Sequence, residues 1–371
     1  MPTEKAHGFQ IMKMCEAFSK AGIDIELWIP KRINPIKDSP FHYYNIRETF
    51  SIKRISVIDL MPLEKFFGPI ASLIGSISFA IFILFYLPKQ DTENLIYSRD
   101  QFVCWFLSFL SRKFVYEIHS FPKNLGWYKR VWGRAYRLVA ITQGLKNLLI
   151  KQGIKAEKIM VASDGVDLEA FDTVKQPKEE LKIELGFSTN DFLAGYAGRF
   201  KTLGMEKGIK TMIEALPILD KEAKMVFVGG EELEIKEYKS LANRFNVLTQ
   251  CVFIEYQPRA KAIKYIKAMD VLVIPFPNTP HYAFYASPLK LFEYMASGCP
   301  IIASDLPALR EILNDKNALF FKPGDASGLA RAVKMIKSSQ MLGYHLSQQA
   351  LADVKNYTWK ARVEKILNFI Q

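Results

Sequence analysis

Short apolar runs separated by amphipathic stretches recur from one end of the chain to the other. In the first part, apolar residues at helical spacing predict a helix at about 9–20, and the runs beyond it predict strands with helices between most of them. These strands are predicted at 24–29, 52–58, 95–97, 114–118, 138–141 and 158–161. Short apolar strands separated by helices are typical of a parallel sheet that is covered on both faces.

The pattern begins again beyond a charged, strand-poor stretch at 171–185, which we interpret as a linker region. Here strands are predicted at 192–197, 225–228, 252–254, 271–275, 301–303 and 319–321. The chain is therefore of the α/β class, and we predict two doubly wound, Rossmann-like domains that face each other across a cleft. Ligands of such sheets bind at the carboxyl ends of the strands, so polar residues just after strands are the candidate site residues.

The first domain is predicted at 1–171, with a last helix at 358–371 that crosses back onto it, and the second domain at 172–357. A doubly wound domain normally opens on a strand, whereas Met1, Pro2 and Thr3 lead straight into a loop and a helix. We therefore expect the first N-terminal strand to be missing, and we interpret the start as truncated or misassigned.

The net charge of +12 indicates an anionic partner, which is a nucleic acid, a phosphorylated ligand or a membrane surface. The excess is concentrated at 101–150, where the basic residues face only Glu117. They are Arg112, Lys113, Lys123, Lys129, Arg130, Arg134, Arg137 and Lys146. A solvated basic face explains them equally well. No nucleic-acid module is recognisable and aromatic residues do not interleave with the basic ones, so we expect no nucleic-acid partner.

The four cysteines stand far apart, without a Cys-x-x-Cys pair, and no histidine has metal-ligand spacing. A zinc site or a disulfide framework is therefore not expected, and a reducing compartment fits. No signal peptide is recognisable, so we predict a cytoplasmic location. An Asp-x-Asp metal motif is not evident either, and we expect neither a metal nor a cofactor.

The stretch at 66–87 has no charged residue and is long enough to span a bilayer, which takes roughly 20 residues. Gly68, Pro69 and Gly75 dilute it, and the strand predicted at 95–97 must rejoin the same domain. We therefore predict a buried or surface-docked helix rather than a span. The basic residues just downstream favour a helix that faces a membrane.

The segment at 287–298 has the features of an anion site. Ser287 is a suitable N-cap, Pro288 is favoured at the first helical position, and a helix is predicted at 289–297. Free backbone N–H groups, a partial positive charge and Lys290 in the first turn suit a diphosphate. Glu293, about one turn later, can accept hydrogen bonds from a ribose diol. By itself, the segment is also no more than a capped helix.

The run at 287–305 resembles the donor-binding signature of glycosyltransferase family four. The resemblance implies the GT-B fold and transfer of a sugar from a nucleotide-sugar with retention of anomeric configuration. Glu293 would hold the ribose hydroxyls, and the matching donor positions are Ser287, Pro288, Leu289 and Lys290. Tyr285 stands where the family pattern has an earlier Glu that contacts the donor sugar. This departure resembles the variant members with an S-P-x-K-L-F-E-Y-M-A motif.

The resemblance extends over nearly the whole chain and implies further roles. Arg199 and Lys207 flank one loop, and two cations there can neutralise a diphosphate leaving group as the glycosidic bond breaks. His119 matches the family's cleft histidine and would contact the donor sugar or the reacting centre. The remaining positions implied are His7 and Gly8 of an N-terminal glycine loop, and Gly229, Tyr256 and Gln257 near the nucleotide base.

We therefore predict a retaining glycosyltransferase whose partners are a nucleotide-diphosphate sugar and a saccharide or lipid-linked acceptor, at the inner face of a membrane. The basic segment beside apolar 66–87 and 102–110 favours an acceptor that is a lipid-linked saccharide or a cell-surface polysaccharide intermediate. Two alternatives stay open: a catalytically inactive scaffold that binds a nucleotide-sugar, and an enzyme resembling the sugar-nucleotide epimerases. Fold alone would not separate them.

Overall fold

The computed structural model describes residues 1–87, 94–202 and 204–371. It contains two compact units, each treated by itself below. The first unit comprises Met1–Asp164 and Trp359–Gln371, and the second comprises Gly165–Thr358. The first boundary thus lies before residue 171, the end of the first domain predicted from the sequence.

The first unit contains two parallel sheets within its described residues. A two-stranded sheet pairs β1 (Glu26–Pro30) with β2 (Ser51–Ile55). A four-stranded sheet has the order β3-β4-β5-β6. Its strands are β3 (Ile96–Ser98), β4 (Phe114–Ile118), β5 (Arg137–Ala140) and β6 (Ile159–Val161). All neighbouring strands in it are parallel, so their carboxyl ends share one edge.

Helices lie between most of these strands. They are α1 (Ala6–Lys20), α2 (Pro40–Tyr44), α3 (Glu64–Phe67), α4 (Pro69–Tyr86), α5 (Gln101–Leu107), α6 (Tyr128–Arg134) and α7 (Gln143–Lys151). The last helix of the chain, α17 (Trp359–Ile370), returns to this unit and packs against α1. The Phe9 and Trp359 rings meet edge to face at that contact, with centroids 6.4 Å apart.

The second unit is built on a six-stranded, all-parallel sheet in the order β11-β10-β7-β12-β13-β14. Two short strands, β8 and β9, form an antiparallel hairpin beside it. The eight strands are β7 (Phe192–Ala197), β8 (Lys201–Thr202), β9 (Met205–Glu206), β10 (Ala223–Gly230), β11 (Cys251–Glu255), β12 (Val271–Ile274), β13 (Ile301–Ser304) and β14 (Leu319–Phe321).

The helices of the second unit cover both faces of the sheet. They are α8 (Leu168–Asp172), α9 (Lys178–Glu184), α10 (Ile209–Ala215), α11 (Glu232–Arg244), α12 (Arg259–Ala268), α13 (Leu289–Ala296), α14 (Pro307–Arg310), α15 (Ala326–Ser338) and α16 (Gln340–Asp353). The prediction of a linker at 171–185 is wrong. This stretch forms parts of α8 and α9. Phe171 and Leu181 are buried in the hydrophobic core, so both helices pack against the rest of the second unit.

Side chains that alternate between the two faces of the central strands form the core of the second unit. On β12, Val271 and Val273 enter one buried cluster, whereas Leu272 and Ile274 enter the other. Successive side chains of a strand point to opposite faces, so a strand that is apolar throughout requires helices on both sides. Such packing leaves the carboxyl edge of the sheet as the place where polar side chains collect.

The apolar stretch at 66–87 is folded as α3, α4 and the residues beside them. Within the described residues, α4 is the one helix long and apolar enough to cross a membrane by length and composition, and only 28% of its residues are buried. Its buried face packs against α5 and includes Phe79 and Ile83. Ile70 and Phe85 are 58% and 78% exposed, so the opposite face presents large apolar side chains to solvent.

Candidate functional site

The carboxyl edge of the six-stranded sheet gathers three basic side chains of the second unit. Gly198, directly after β7, has a φ of +126° and no side chain, and a Cβ built on it would lie 2.9 Å from Lys290 Nζ. The loop after β7 therefore lies directly against Lys290, a residue of the first turn of α13. Only glycine combines this backbone conformation with so close an approach.

A tyrosine fixes α13 to the end of β7. The Tyr294 hydroxyl accepts a hydrogen bond from the Ala197 N–H at 2.7 Å and donates one to the Ala197 carbonyl oxygen at 3.3 Å. Both backbone groups of the last β7 residue are thereby satisfied by the helix. The start of α13 and the Gly198–Arg199 turn are thus held in register with each other.

Lys290 is the most unusual group of this edge. Its side chain is buried, and its Nζ has no hydrogen-bond partner among the described residues. The Nζ lies 3.4 Å from the centre of the Tyr196 ring, which is a cation–π contact, and the Glu293 carboxylate acts on it without a hydrogen bond. Burial, followed by the charge of Lys207, holds the pKa of Lys290 well below its ordinary value. An anion placed here would restore the charged form.

Arg199 and Lys207 flank the β8–β9 hairpin and lie near each other. Burial, and next the Arg199 guanidinium, lower the pKa of Lys207 to about 8. Arg199 Nη1 forms an exposed ion pair with Glu231 Oε1 at 3.2 Å. Such an exposed pair is weak and readily exchanged for a bound anion. The structure therefore brings Lys207, Lys290 and Arg199 to one edge of the sheet.

Glu293 lies one turn after Lys290 on α13 and is largely buried. Its Oε1 accepts a hydrogen bond from Arg259 Nη1, which comes from the first residue of α12. The carboxylate is thus held by a fixed cation while its remaining lone pairs can accept further hydrogen bonds. This is the donor-side role that the sequence predicts for Glu293, and no contact in the structure tests it.

The helix α13 begins at Leu289, as the sequence predicts, but its N-cap differs from the prediction. Pro288 has a ψ of 127° and is the N-cap, so the helix begins at Leu289 and ends at Ala296. The predicted capping by Ser287 is wrong, because the extended backbone of Pro288 places Ser287 one residue outside the helix. Tyr285 lies just before it, at the end of a π-helical turn, His281–Tyr285.

The residues predicted near the nucleotide base follow neighbouring strands. Gly229 is in β10, which pairs with both β7 and β11. Tyr256 and Gln257 follow β11, and Tyr256 is exposed. Tyr256 and Gln257 thus follow their strand as expected, whereas Gly229, expected after its strand, lies within the last two residues of β10. The structure contains no group that tests their role.

The first unit places His119 directly after β4 and gives it one strong partner. His119 Nε2 lies 2.5 Å from Oε1 of Glu117, whose side chain is 2% exposed. Glu117 and His119 are two residues apart on an extended segment, so both side chains project to the same face. The histidine is thus fixed at the carboxyl edge of the four-stranded sheet.

Glu117 is also bound from other elements. Arg362 Nη2, from α17, lies 3.1 Å from Glu117 Oε2, and Gln10 Nε2, from α1, donates to Oε1 at 2.9 Å. Tyr97, on β3, donates its hydroxyl to Oε2. Burial alone would raise the pKa of Glu117, but Arg362 and His119 hold it well below the usual range.

His7 and Gly8 are not in a loop, as the resemblance implied, but in the first turn of α1. A Cβ on Gly8 would lie 2.1 Å from the Tyr44 hydroxyl, which bonds both backbone groups of Thr3. The absence of a side chain at Gly8 is therefore required for this packing. His7 is exposed at the helix start.

Sequence reasoning missed Glu117, Arg259 and Arg362. Glu117 could have been found, because a carboxylate two residues before a candidate histidine on a strand shares its face. Arg259 and Arg362 reach their partners from sequence separations of 34 and 245 residues, respectively, which no local pattern signals. Among the described residues, no group of three or more His, Cys, Asp or Glu side chains is placed to hold a metal ion.

The second unit has a family match. Residues 191–338 match the family described as Glycosyl transferases group 1. TuaC of Bacillus subtilis (strain 168), named for teichuronic acid biosynthesis, is 26% identical over 215 residues, which cover 58% of this chain and 50% of TuaC. The amylovoran biosynthesis glycosyltransferase AmsK of Erwinia amylovora is 25% identical over 231 residues, covering 60% of this chain and 51% of AmsK. The chain spans about half the length of these curated relatives.

The fold is shared over the whole chain with a solved structure. The crystal structure of Anabaena HepE in complex with UDP and glucose superimposes with a TM-score of 0.74 at 17% identity, covering 99% of this chain and 97% of that one. Identity this low establishes the fold alone, and that fold is GT-B. The chain is thus a GT-B protein whose second unit, over residues 191–338, matches the glycosyl transferases group 1.

Proposed function

We propose that this protein is a retaining glycosyltransferase that takes its sugar from a nucleotide-diphosphate sugar. The diphosphate would bind at Lys290, Lys207 and Arg199, with Glu293 on the ribose hydroxyls. His119 would contact the donor sugar. Relatives named as glycosyltransferases of teichuronic acid and amylovoran biosynthesis support the reaction class, and a fold neighbour that holds UDP supports the donor.

The observation that favours this proposal most is the buried Lys290 Nζ without a hydrogen-bond partner among the described residues. A buried ammonium without a hydrogen-bond partner is costly, and a bound diphosphate would remove that cost. The amide groups at the start of α13 add partial positive charge at the same point. As the glycosidic bond breaks, negative charge collects on the leaving diphosphate, where these cations would stabilise it.

Release of nucleoside diphosphate from a panel of nucleotide-sugars, with and without lipid-linked acceptors, tests the reaction. We expect release that requires an acceptor and gives a product with the anomeric configuration of the donor, as read by NMR. An inverted product would contradict retention. We also expect turnover without a metal, so loss of activity in EDTA would contradict that part.

A second candidate rests on Tyr285, which occupies the position of the family's first donor-contacting Glu. An inactive scaffold would bind the nucleotide-sugar and release nothing in this assay. An epimerase-like enzyme would alter the sugar without any acceptor. The three outcomes therefore separate the three functions.

We further propose that the first unit docks on the inner face of an anionic membrane, where a lipid-linked or cell-surface saccharide intermediate would be the acceptor. The exposed side of α4 carries Ile70, Leu73, Ile81 and Phe85 on one stripe. Phe109 and Leu110, which follow α5, are exposed too. Arg130 on α6 stacks over Phe109 at 4.0 Å, so a basic side chain adjoins this exposed apolar residue.

Flotation with liposomes tests the docking. We expect the protein to float with vesicles that contain phosphatidylglycerol and to float much less with neutral phosphatidylcholine vesicles. Phe85→Asp should weaken flotation, because burying a large apolar side chain contributes about 1.5–3 kcal/mol. The control Ile183→Asp changes an exposed apolar residue of α9 in the second unit and should float normally. Wild-type protein that ignores anionic vesicles would contradict the proposal.

A further inference from the structure

We propose that Glu117 is a positioning residue that holds His119 as the Nε2–H tautomer, and that Arg362 holds Glu117 for this task. The inference deepens the proposed function and rests on it for the catalytic meaning of His119. Neither Glu117 nor Arg362 would touch substrate. Their effect would pass through the orientation and proton of the imidazole.

The contact between Glu117 and His119 determines the tautomer. Glu117 Oε1 lies 2.5 Å from His119 Nε2, and an ionised carboxylate can only accept hydrogen bonds. The proton must therefore be on Nε2, which leaves Nδ1 of a neutral ring as an acceptor. Nδ1 makes no hydrogen bond with any described residue. It is thus available to accept from a hydroxyl group of the donor sugar.

The other contacts of Glu117 keep the carboxylate ionised and immobile. Arg362 is itself buried, and it also donates from Nε to the Ser163 carbonyl and from Nη2 to the Ala162 carbonyl. These two residues directly follow β6, so hydrogen bonds to their carbonyls hold the guanidinium in place independently of its contact with Glu117. Gln10, whose Oε1 accepts from Arg99 Nη1 at 2.6 Å, binds the same carboxylate oxygen as His119. The carboxylate therefore has no freedom to turn away from the ring.

A buried ion pair with a purely structural role would not require one oxygen of Glu117 to bind His119. Arg362 and Tyr97 both donate to Oε2, which leaves Oε1 to His119 and Gln10. In a Ser-His-Asp triad, the carboxylate that orients the imidazole fixes its tautomer, and neutralising it lowers turnover strongly. Removing the charge at Glu117 should therefore change the protonated nitrogen of His119, which a purely structural role would leave unaltered.

The substitution Glu117→Gln tests this directly. Arg362 and Tyr97 both donate at the Oε2 position, so the Gln oxygen must take that position and its NH₂ group must face His119 and Gln10, whose own amide would have to turn. His119 Nε2 would then accept, and the proton would move to Nδ1. The control Tyr97→Phe removes a hydrogen bond to the other carboxylate oxygen but leaves the contact with His119, so its tautomer should stay Nε2–H.

The readout is the ¹⁵N NMR spectrum of histidine side chains in ligand-free protein at mildly alkaline pH. The chain has five histidines, few enough to assign His119 by the signal lost in a His119→Asn variant. Nε2–H in the wild type and a shift towards Nδ1–H in Glu117→Gln are expected. Nδ1–H or a doubly protonated ring in the wild type, or an unchanged ring in Glu117→Gln, would overturn the proposal.

Should Glu117→Gln fail to fold, Glu117→Asp answers the same question. It keeps the charge for Arg362 but withdraws the carboxylate from His119, so mixed tautomers are expected and a pure Nε2–H ring would overturn the proposal. In whichever of the two Glu117 variants folds, kcat should fall roughly 10- to 100-fold with little change in the KM for the donor. Because NMR is recorded without substrate, a wild type with no transferase activity would contradict the proposed function while leaving the tautomer result intact.

Discussion

At the scale of single residues, Glu293 is the carboxylate proposed to bind the donor ribose. Its pairing with Arg259 holds it in place while part of the carboxylate stays open to a ligand. Glu293→Gln should keep the shape and lose the charge. Because hydrogen bonds to charged groups contribute about 1.5–3 kcal/mol, UDP affinity should fall roughly 10- to 100-fold in calorimetric titrations.

The matched control for this prediction is Glu237→Gln. It removes the carboxylate of an exposed ion pair with Lys201 in the same unit. Exposed pairs contribute about 0–1 kcal/mol, so UDP affinity should stay unchanged. Wild-type affinity in Glu293→Gln would contradict the ribose-binding role.

Lys207 gives the site a dependence on pH. Burial and the Arg199 guanidinium lower its pKa to about 8, so the free protein loses this positive charge as pH rises through that value. A diphosphate binds the charged form, and UDP affinity should therefore fall across the same range. Lys207→Arg keeps its charge and should reduce the fall. Affinity that rises with pH would contradict the assignment of Lys207 to the diphosphate.

At the scale of elements, the site depends on how α13 is attached to β7. Tyr294 is fully buried, and its hydroxyl serves both backbone groups of Ala197. Tyr294→Phe removes that hydroxyl and leaves these groups without their partner. We expect a loss of about 1–2 kcal/mol in the free energy of unfolding, measured with urea. The exposed Tyr344→Phe on α16 is the control and should unfold like the wild type.

Which elements the sequence predicts, and which it does not, has a physical basis. The β12 strand was predictable because every residue of it is buried, and so its run is apolar throughout. The start of α13 at Leu289 was predicted, but its N-cap was placed one residue early, at Ser287, because Pro288 has an extended backbone and lies outside the first helical turn. The helical start of α1 around His7 was missed because its N-cap, Lys5, makes no side-chain capping hydrogen bond and because Gly8 is unfavourable within a helix.

At the scale of the whole molecule, the candidate site was predictable only in part. The residues of local motifs, such as Lys290 and Glu293, were found because helix signals and the motif occupy one short segment. Arg362 could not be found, since it reaches Glu117 from the last helix of the chain. Likewise, nothing in the sequence indicates that Lys290 Nζ is buried without a hydrogen-bond partner among the described residues, because its burial depends on the approach of Gly198 from another loop.

The central claim is that the second unit binds a nucleoside diphosphate at Lys290. Calorimetric titration with UDP in buffers of different ionisation enthalpy tests it most directly, because it reports affinity and protons taken up together. A bound diphosphate should raise the lowered pKa of Lys290, so the wild type should bind UDP with proton uptake. Lys290→Met should weaken binding roughly 10- to 100-fold and reduce the uptake. Equal affinity and equal uptake in the wild type and Lys290→Met would contradict the account.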